Sequence, residues 1–125
     1  MITVDGPKII EINARFGDPE AMNVLPLLET DFVDICKGML DGNLNSKKMQ
    51  MKKKSTVCKY VVPEGYGVKS MVGEKVLVNE DGIKNTGSQL FYASVNKAND
   101  YVLTTTSRSL AVVGVADKLG NADNI

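Results

Sequence analysis

Hydrophobic and polar positions change rhythm three times along the 125-residue chain. The first rhythm is alternation. Ile10 and Ile12 bracket Glu11 and precede Asn13, so extended backbone sends the isoleucines to one face and Glu11 and Asn13 to the other. Arg15 joins the polar face if the strand continues. Ile2-Thr3-Val4 lies ahead, with Asp5-Gly6-Pro7 as a turn signal between. The pattern predicts a β-hairpin over residues 2–12 with Ile10 and Ile12 facing a core.

The second rhythm is helical. Asp18-Pro19-Glu20 is a helix start, because Asp caps free amides, Pro suits the first turn and Glu complements the positive end of the dipole. Ala21, Met22, Val24 and Leu25 follow until Pro26 limits the helix. Thr30-Asp31 opens a second helix, in which Phe32, Val33, Ile35, Cys36, Met39 and Leu40 recur at helical spacing. Gly42-Asn43 stops it. Phe16 is expected in the core, and Gly17 where the backbone must be permissive. Asp18 and Glu20 are read as capping residues rather than catalytic ones.

Residues 43–54 break both rhythms. They are polar and lysine-rich, and they predict an exposed linker with a domain boundary near residue 45. The third rhythm is a series of short strands: Thr56–Val62, Lys75–Val78, Gln89–Val95, Tyr101–Thr106 and Leu110–Ala116, the last apolar enough to be buried on both faces. Turn signals separate them, among them Glu64-Gly65-Tyr66-Gly67 and Asn79-Glu80-Asp81-Gly82. This part predicts a mainly antiparallel sheet or sandwich. Gly120–Ile125 reads as a turn toward another element. The fold class expected for the whole is α+β, with residues 1–45 as a hairpin and two helices and residues 46–125 as a small β-rich domain.

Composition narrows the chemistry. Lys plus Arg and Asp plus Glu are each 15, so no net basic field favours nucleic acid or an acidic membrane. Histidine is absent, which removes Ser-His and Cys-His nucleophiles and His-ligated metals. Cys36 and Cys58 fit neither a CxxC site nor a disulfide framework, and their apolar surroundings suggest buried free thiols in a reducing cytoplasm. No apolar run approaches membrane-spanning length. Gly65-Tyr66-Gly67 lacks the strand–loop–helix setting of a phosphate loop.

What remains is carboxylate, amide and guanidinium chemistry. Glu11, Asn13 and Arg15 along one strand edge suit a hard cation and the phosphates it bridges, since Mg²⁺ takes oxygen donors and few protein ligands, and Arg offers a planar fork to phosphate. Alternating polar residues also read as a plain solvated face. From spacing alone both readings stand.

The whole string Glu11-x-Asn13-x-Arg15-Phe16-Gly17-Asp18-Pro19-Glu20 closely resembles the signature of phosphoribosylamine–glycine ligases, ATP-grasp enzymes of purine biosynthesis. Glu-x-Asn-x-Arg is shared across ATP-grasp ligases, whereas Phe-Gly-Asp-Pro-Glu is far more specific. Val24-Leu25-Pro26, Thr30–Val33, Gln89–Ser94 and Ser107–Val112 extend the likeness nearly end to end. Gly65-Tyr66-Gly67 and Tyr92-Ala93-Ser94-Val95 depart from the pattern of many relatives.

The resemblance implies an ATP-grasp end followed by a C-terminal β domain, with a helix near residue 120. It implies that ATP phosphorylates the glycine carboxylate and that the amine of 5-phosphoribosylamine attacks the glycyl phosphate. Glu11 and Asn13 would then bind Mg²⁺ or Mn²⁺, Glu11, Asn13 and Arg15 would together meet the ATP phosphates, and Arg15 would be catalytic through charge stabilisation. The adenine pocket and most substrate contacts would lie in a missing N-terminal portion, so the chain alone is expected to be inactive. An uncovered sheet face would favour self-association. Arg108 is read as a surface charge in a strand-connecting turn. Two other readings remain: an ATP-grasp carboxylate–amine ligase using a different acid, and a non-catalytic binding or assembly domain.

Overall fold

The computed structural model describes residues 1–124. It is a small α+β structure whose sheets are antiparallel throughout the described residues. Its centre is β8 (Leu110–Ala116), flanked by β3 (Ser55–Val61) on one side and β5 (Gln89–Tyr92) on the other. From Leu110 to Val113 it is paired on both edges, which satisfies its ladder groups there, and its run Leu-Ala-Val-Val-Gly-Val-Ala has no polar side chain to hydrate. Leu110, Ala111 and Val113 are accordingly buried, Val113 completely. The register sets Cys58 opposite Val113 and Val61 opposite Leu110.

A second small sheet orders β4 (Lys75–Val76), β7 (Val102–Thr104) and β6 (Val95–Lys97). The expected single strand over Gln89–Val95 is therefore divided. Its first half pairs with β8 and its second with β7, and the partner changes where Ser107-Arg108-Ser109 interrupts the facing chain. Ala93 and Ser94 bridge the change, their amides donating to the Ser109 and Arg108 carbonyls at 3.0 and 2.9 Å. Thr104 secures the loop before β4. Its buried hydroxyl donates to the Met71 carbonyl at 2.8 Å and accepts from the Glu74 amide at 3.0 Å.

Helices cover this framework. α1 (Glu20–Val24) packs on β3, α3 (Glu80–Asn85) on β5, and α4 (Leu119–Asp123) on β3 and β8 through the buried Ala122. The expected turn at Asn79–Gly82 is instead the start of α3, because the Asn79 side chain accepts from the Gly82 amide at 2.8 Å and acts as an N-cap. The turn read at Gly120–Ile125 is α4 as far as Asp123, and Ile125 lies outside the described residues. α2 (Phe32–Leu40) begins as expected: Asp31 accepts from the Val33 and Asp34 amides at 2.7 and 3.4 Å. It ends before Gly42, which takes φ +66°.

Two expectations about the first segment are corrected. The hairpin is only β1 (Ile2–Thr3) against β2 (Gly6–Pro7), and strand pairing stops near Lys8 rather than running to residue 12. Ile10 and Ile12 are 69% and 83% exposed, and Phe16 is exposed too, its ring tilted against Phe32 at 5.8 Å. No described strand pairs with residues 8–14, so alternation there has no sheet face to bury. The lysine-rich stretch, exposed as expected, is held by its backbone to the chain ahead of it. It lies antiparallel to residues 27–30, with Glu29 and Lys52 amides donating to Gln50 and Leu27 carbonyls at 3.0 and 2.7 Å. Among its lysines, Lys54 reaches Asp117 at 2.6 Å. No helix among the described residues is long and apolar enough to cross a membrane.

Candidate functional site

The three residues singled out by pattern lie on one segment outside any strand, with Arg15 at a bend in it. Two of them meet. The Asn13 amide donates to a Glu11 carboxylate oxygen at 3.0 Å, as neighbours two apart on the same face of extended backbone can. Arg15 turns away from that pair and donates to the Phe16 carbonyl at 2.9 Å. All three are exposed, and among the described residues neither Glu11 nor Asn13 has another hydrogen-bonding partner.

This donor set fits a hard cation. The Glu11 carboxylate and the Asn13 amide stand side by side with no other partner among the described residues. The amide now turns its NH2 to the carboxylate, and a half-turn about its last bond would present its oxygen instead, giving a divalent ion two oxygen donors and leaving its other positions to water and phosphate. No cluster of three or more Cys, Asp or Glu that could enclose a metal occurs among the described residues.

Beyond Arg15 the chain turns sharply into α1. Gly17 sits where any Cβ would strike the carboxylate of Glu20, which folds back against it. Asp18 does not cap the helix as expected. Pro19 occupies the cap position and no side chain caps the helix. The Asp18 carboxylate instead points across to the β-rich part of the chain. One oxygen accepts from the Tyr60 hydroxyl, and the other accepts from Arg108 at 3.1 Å. Arg108 also donates to the Asp18 backbone carbonyl at 3.1 Å, and its guanidinium lies over the Tyr60 ring, 4.8 Å from the centroid.

Arg108 is thus no idle surface charge. Tyr60 holds its proton strongly: partial burial, then the hydrogen bond to Asp18, pushes its pKa up to about 12. Burial, and after it the negative charge of Asp18, raises the neighbouring Cys58 thiol. Sequence reading missed this cluster because its members lie 42 and 90 positions apart, and only the strand register brings them together.

Residues 56–125 match the family described as phosphoribosylglycinamide synthetase, C domain. The chain belongs to this family. It is similar over all 125 residues to phosphoribosylamine–glycine ligases of Methanococcus vannielii at 52% identity, Methanocaldococcus jannaschii at 50% and Methanothermobacter thermautotrophicus at 49%. It spans 28% of the length of each of these curated relatives. The family match begins inside β3, so it takes in Tyr60 and Arg108 but not Glu11, Asn13, Arg15 or Asp18. Those four fall within the full-length likeness to the ligases.

A concave surface lies elsewhere, within the β-rich part. It is a cleft of about 630 Å³ between α3 and the β6–β7 turn, lined by Glu80, Tyr92, Lys97, Asp100 and Tyr101 among others. Tyr92 donates to Glu80 at 2.6 Å, a bond that, with some burial, pushes its pKa up to about 12. None of Glu11, Asn13, Arg15 or Asp18 lines it, whereas Tyr92, Ala93 and Val95, which depart from the pattern of many relatives, do.

Proposed function

We propose that this chain is the C-terminal portion of a phosphoribosylamine–glycine ligase, joining glycine to 5-phosphoribosylamine at the expense of ATP in purine biosynthesis, in the cytoplasm. The observation that carries the reading is identity near 50% to such ligases across every residue, the Glu11-to-Glu20 string included. Residues 1–45 are read as the end of an ATP-grasp domain and residues 46–125 as the C-terminal domain.

In this reading Glu11 and Asn13 hold Mg²⁺ or Mn²⁺ against the ATP phosphates. Such an ion would supply positive charge to the phosphates when bound. Arg15 contributes a guanidinium that, released from the Phe16 carbonyl, reaches the transferring phosphoryl group or the acyl phosphate. That division suits the reaction, because phosphoryl transfer is catalysed mainly by positioning and charge neutralisation.

The exposed apolar side chains of the first residues support a further part of the reading. Ile9, Ile10 and Ile12 present a band that the described residues leave open, and bands of this kind mark contact surfaces. We assign it to the remainder of the ligase. The test is a mixture of this chain with the N-terminal portion of a matching ligase, following ADP release that requires both glycine and 5-phosphoribosylamine. Activity in the mixture alone, lost in Glu11→Ala, is the expected result. Silence from a mixture that folds and associates would overturn the catalytic reading and favour a non-catalytic domain.

A further inference from the structure

We propose that Arg108 and Tyr60 are positioning residues: by clasping Asp18 they fix the segment that carries Glu11, Asn13 and Arg15 to the central sheet. The proposed importance of that segment rests on the ligase reading above; the clasp itself does not.

The need for an anchor is visible in the backbone. Among the described residues, no hydrogen bond joins residues 9–15 to any part of the chain beyond Phe16. Their nearest flanks are held on either side, and further along α1 is held on β3, where the Thr56 hydroxyl donates to the Asn23 carbonyl at 2.9 Å. On one side the two-residue hairpin closes at Met1 and Lys8, with bonds of 2.8 Å in both directions. On the other side Phe16 rests on Phe32, and Asp18 is bound by Tyr60 and Arg108. Asp18 is three positions from Arg15, at most about 10 Å of extended backbone. Whatever fixes Asp18 therefore limits where Arg15 can stand.

The contact differs from an ordinary surface ion pair. An isolated exposed pair is worth little, because water screens it and two long side chains must be ordered. Here each carboxylate oxygen of Asp18 has its own donor, the backbone carbonyl has a third, and the guanidinium that supplies two of them is itself stacked on the ring that supplies the other. Planar, two-pronged geometry of this kind distinguishes arginine from lysine, and a cation over a ring adds attraction. Both anchors sit on strongly paired structure. Tyr60 lies within β3, opposite Ala111 of the buried strand, and Arg108 lies two residues before β8, beside the fully buried Ser109. The clasp thus ties an otherwise loose segment to the most rigid part of the molecule.

The test is made first on the 125-residue chain by backbone NMR. Arg108→Met should shift the signals of Gly17 and Asp18 and increase fast motion over residues 9–17, while β3 and β8 keep their chemical shifts. Tyr60→Phe, which removes only one oxygen, should do the same more weakly, so a fold-breaking effect of the first variant does not decide the matter. Arg108→Lys should restore little, since it keeps the charge and loses the fork. Unchanged dynamics over residues 9–17 in Tyr60→Phe and in folded Arg108→Met would overturn the proposal.

In the mixture with the N-terminal portion, Arg108→Met and Asp18→Asn should each lower kcat at least tenfold with KM for ATP little changed, and the double variant should be no worse than either alone. Additive losses would overturn it by showing that Arg108 acts apart from Asp18. A wild-type mixture without ligase activity would count against the ligase reading alone, and the NMR result would still decide the clasp.

Discussion

Two tyrosines carry the clearest residue-scale consequences. Tyr60 and Tyr92 each donate to a carboxylate, and each has its pKa pushed from 10.0 up to about 12. The folded state keeps these protons where the unfolded chain would release them. The stabilisation is therefore complete below about pH 10 and is lost as the pH rises toward 12. Ultraviolet titration should show two phenols ionising late, and Asp18→Asn should bring one of them back toward its ordinary value. Because burial is the larger cause at Tyr60, the return should be partial. At Tyr92 the hydrogen bond to Glu80 is the larger cause, so Glu80→Gln should move it further. Cys58 makes a matching prediction: its raised pKa should make it slow to alkylate at neutral pH, with the rate rising on unfolding.

At the scale of elements, caps and loop anchors decide where structure begins. Asp31 satisfies two free amides of α2, and Asp31→Ala should cost about 1 kcal/mol in denaturant unfolding. Thr104→Val keeps shape but strands the Glu74 amide and the Met71 carbonyl that its buried hydroxyl pairs, a loss of roughly 1–3 kcal/mol. Leu110→Ala, at the start of the doubly paired strand, should cost roughly 2–4 kcal/mol by leaving a cavity. Gly65 belongs to the same class. It takes φ +73°, and a Cβ there would collide with the Lys69 carbonyl, so Gly65→Ala should destabilise the loop by about 1 kcal/mol or more.

At the scale of the whole molecule, the chain divides into a well-packed β-rich part and a first segment with few partners of its own. The buried residues lie mainly on β7, β8 and their neighbours, whereas Ile9, Ile10, Ile12 and Phe16 stand open. Adding the N-terminal portion of a matching ligase should protect these side chains. Hydrogen exchange should slow over residues 8–16 while the β-rich part changes little. The same mixture is where activity is expected, and neither half should release ADP when supplied alone.

Local order in the chain was enough to determine much of this. β8 was legible because seven consecutive apolar or small residues leave no polar side chain to hydrate, and α2 because its apolar period and Asp31 agree. The Glu11-Asn13 pair was legible because residues two apart share a face wherever the backbone is not helical but drawn out, with or without a paired strand beside it. Tertiary structure decided the rest. Alternation at Ile10 and Ile12 promised a core face, but burial depends on a partner surface that no local pattern supplies. Asp18 beside Pro19 and Glu20 looked like a cap, since capping is a local bond. Its carboxylate went to Tyr60 and Arg108 because strand register placed a phenol and a guanidinium within reach, a choice made by contacts 42 and 90 residues distant in sequence.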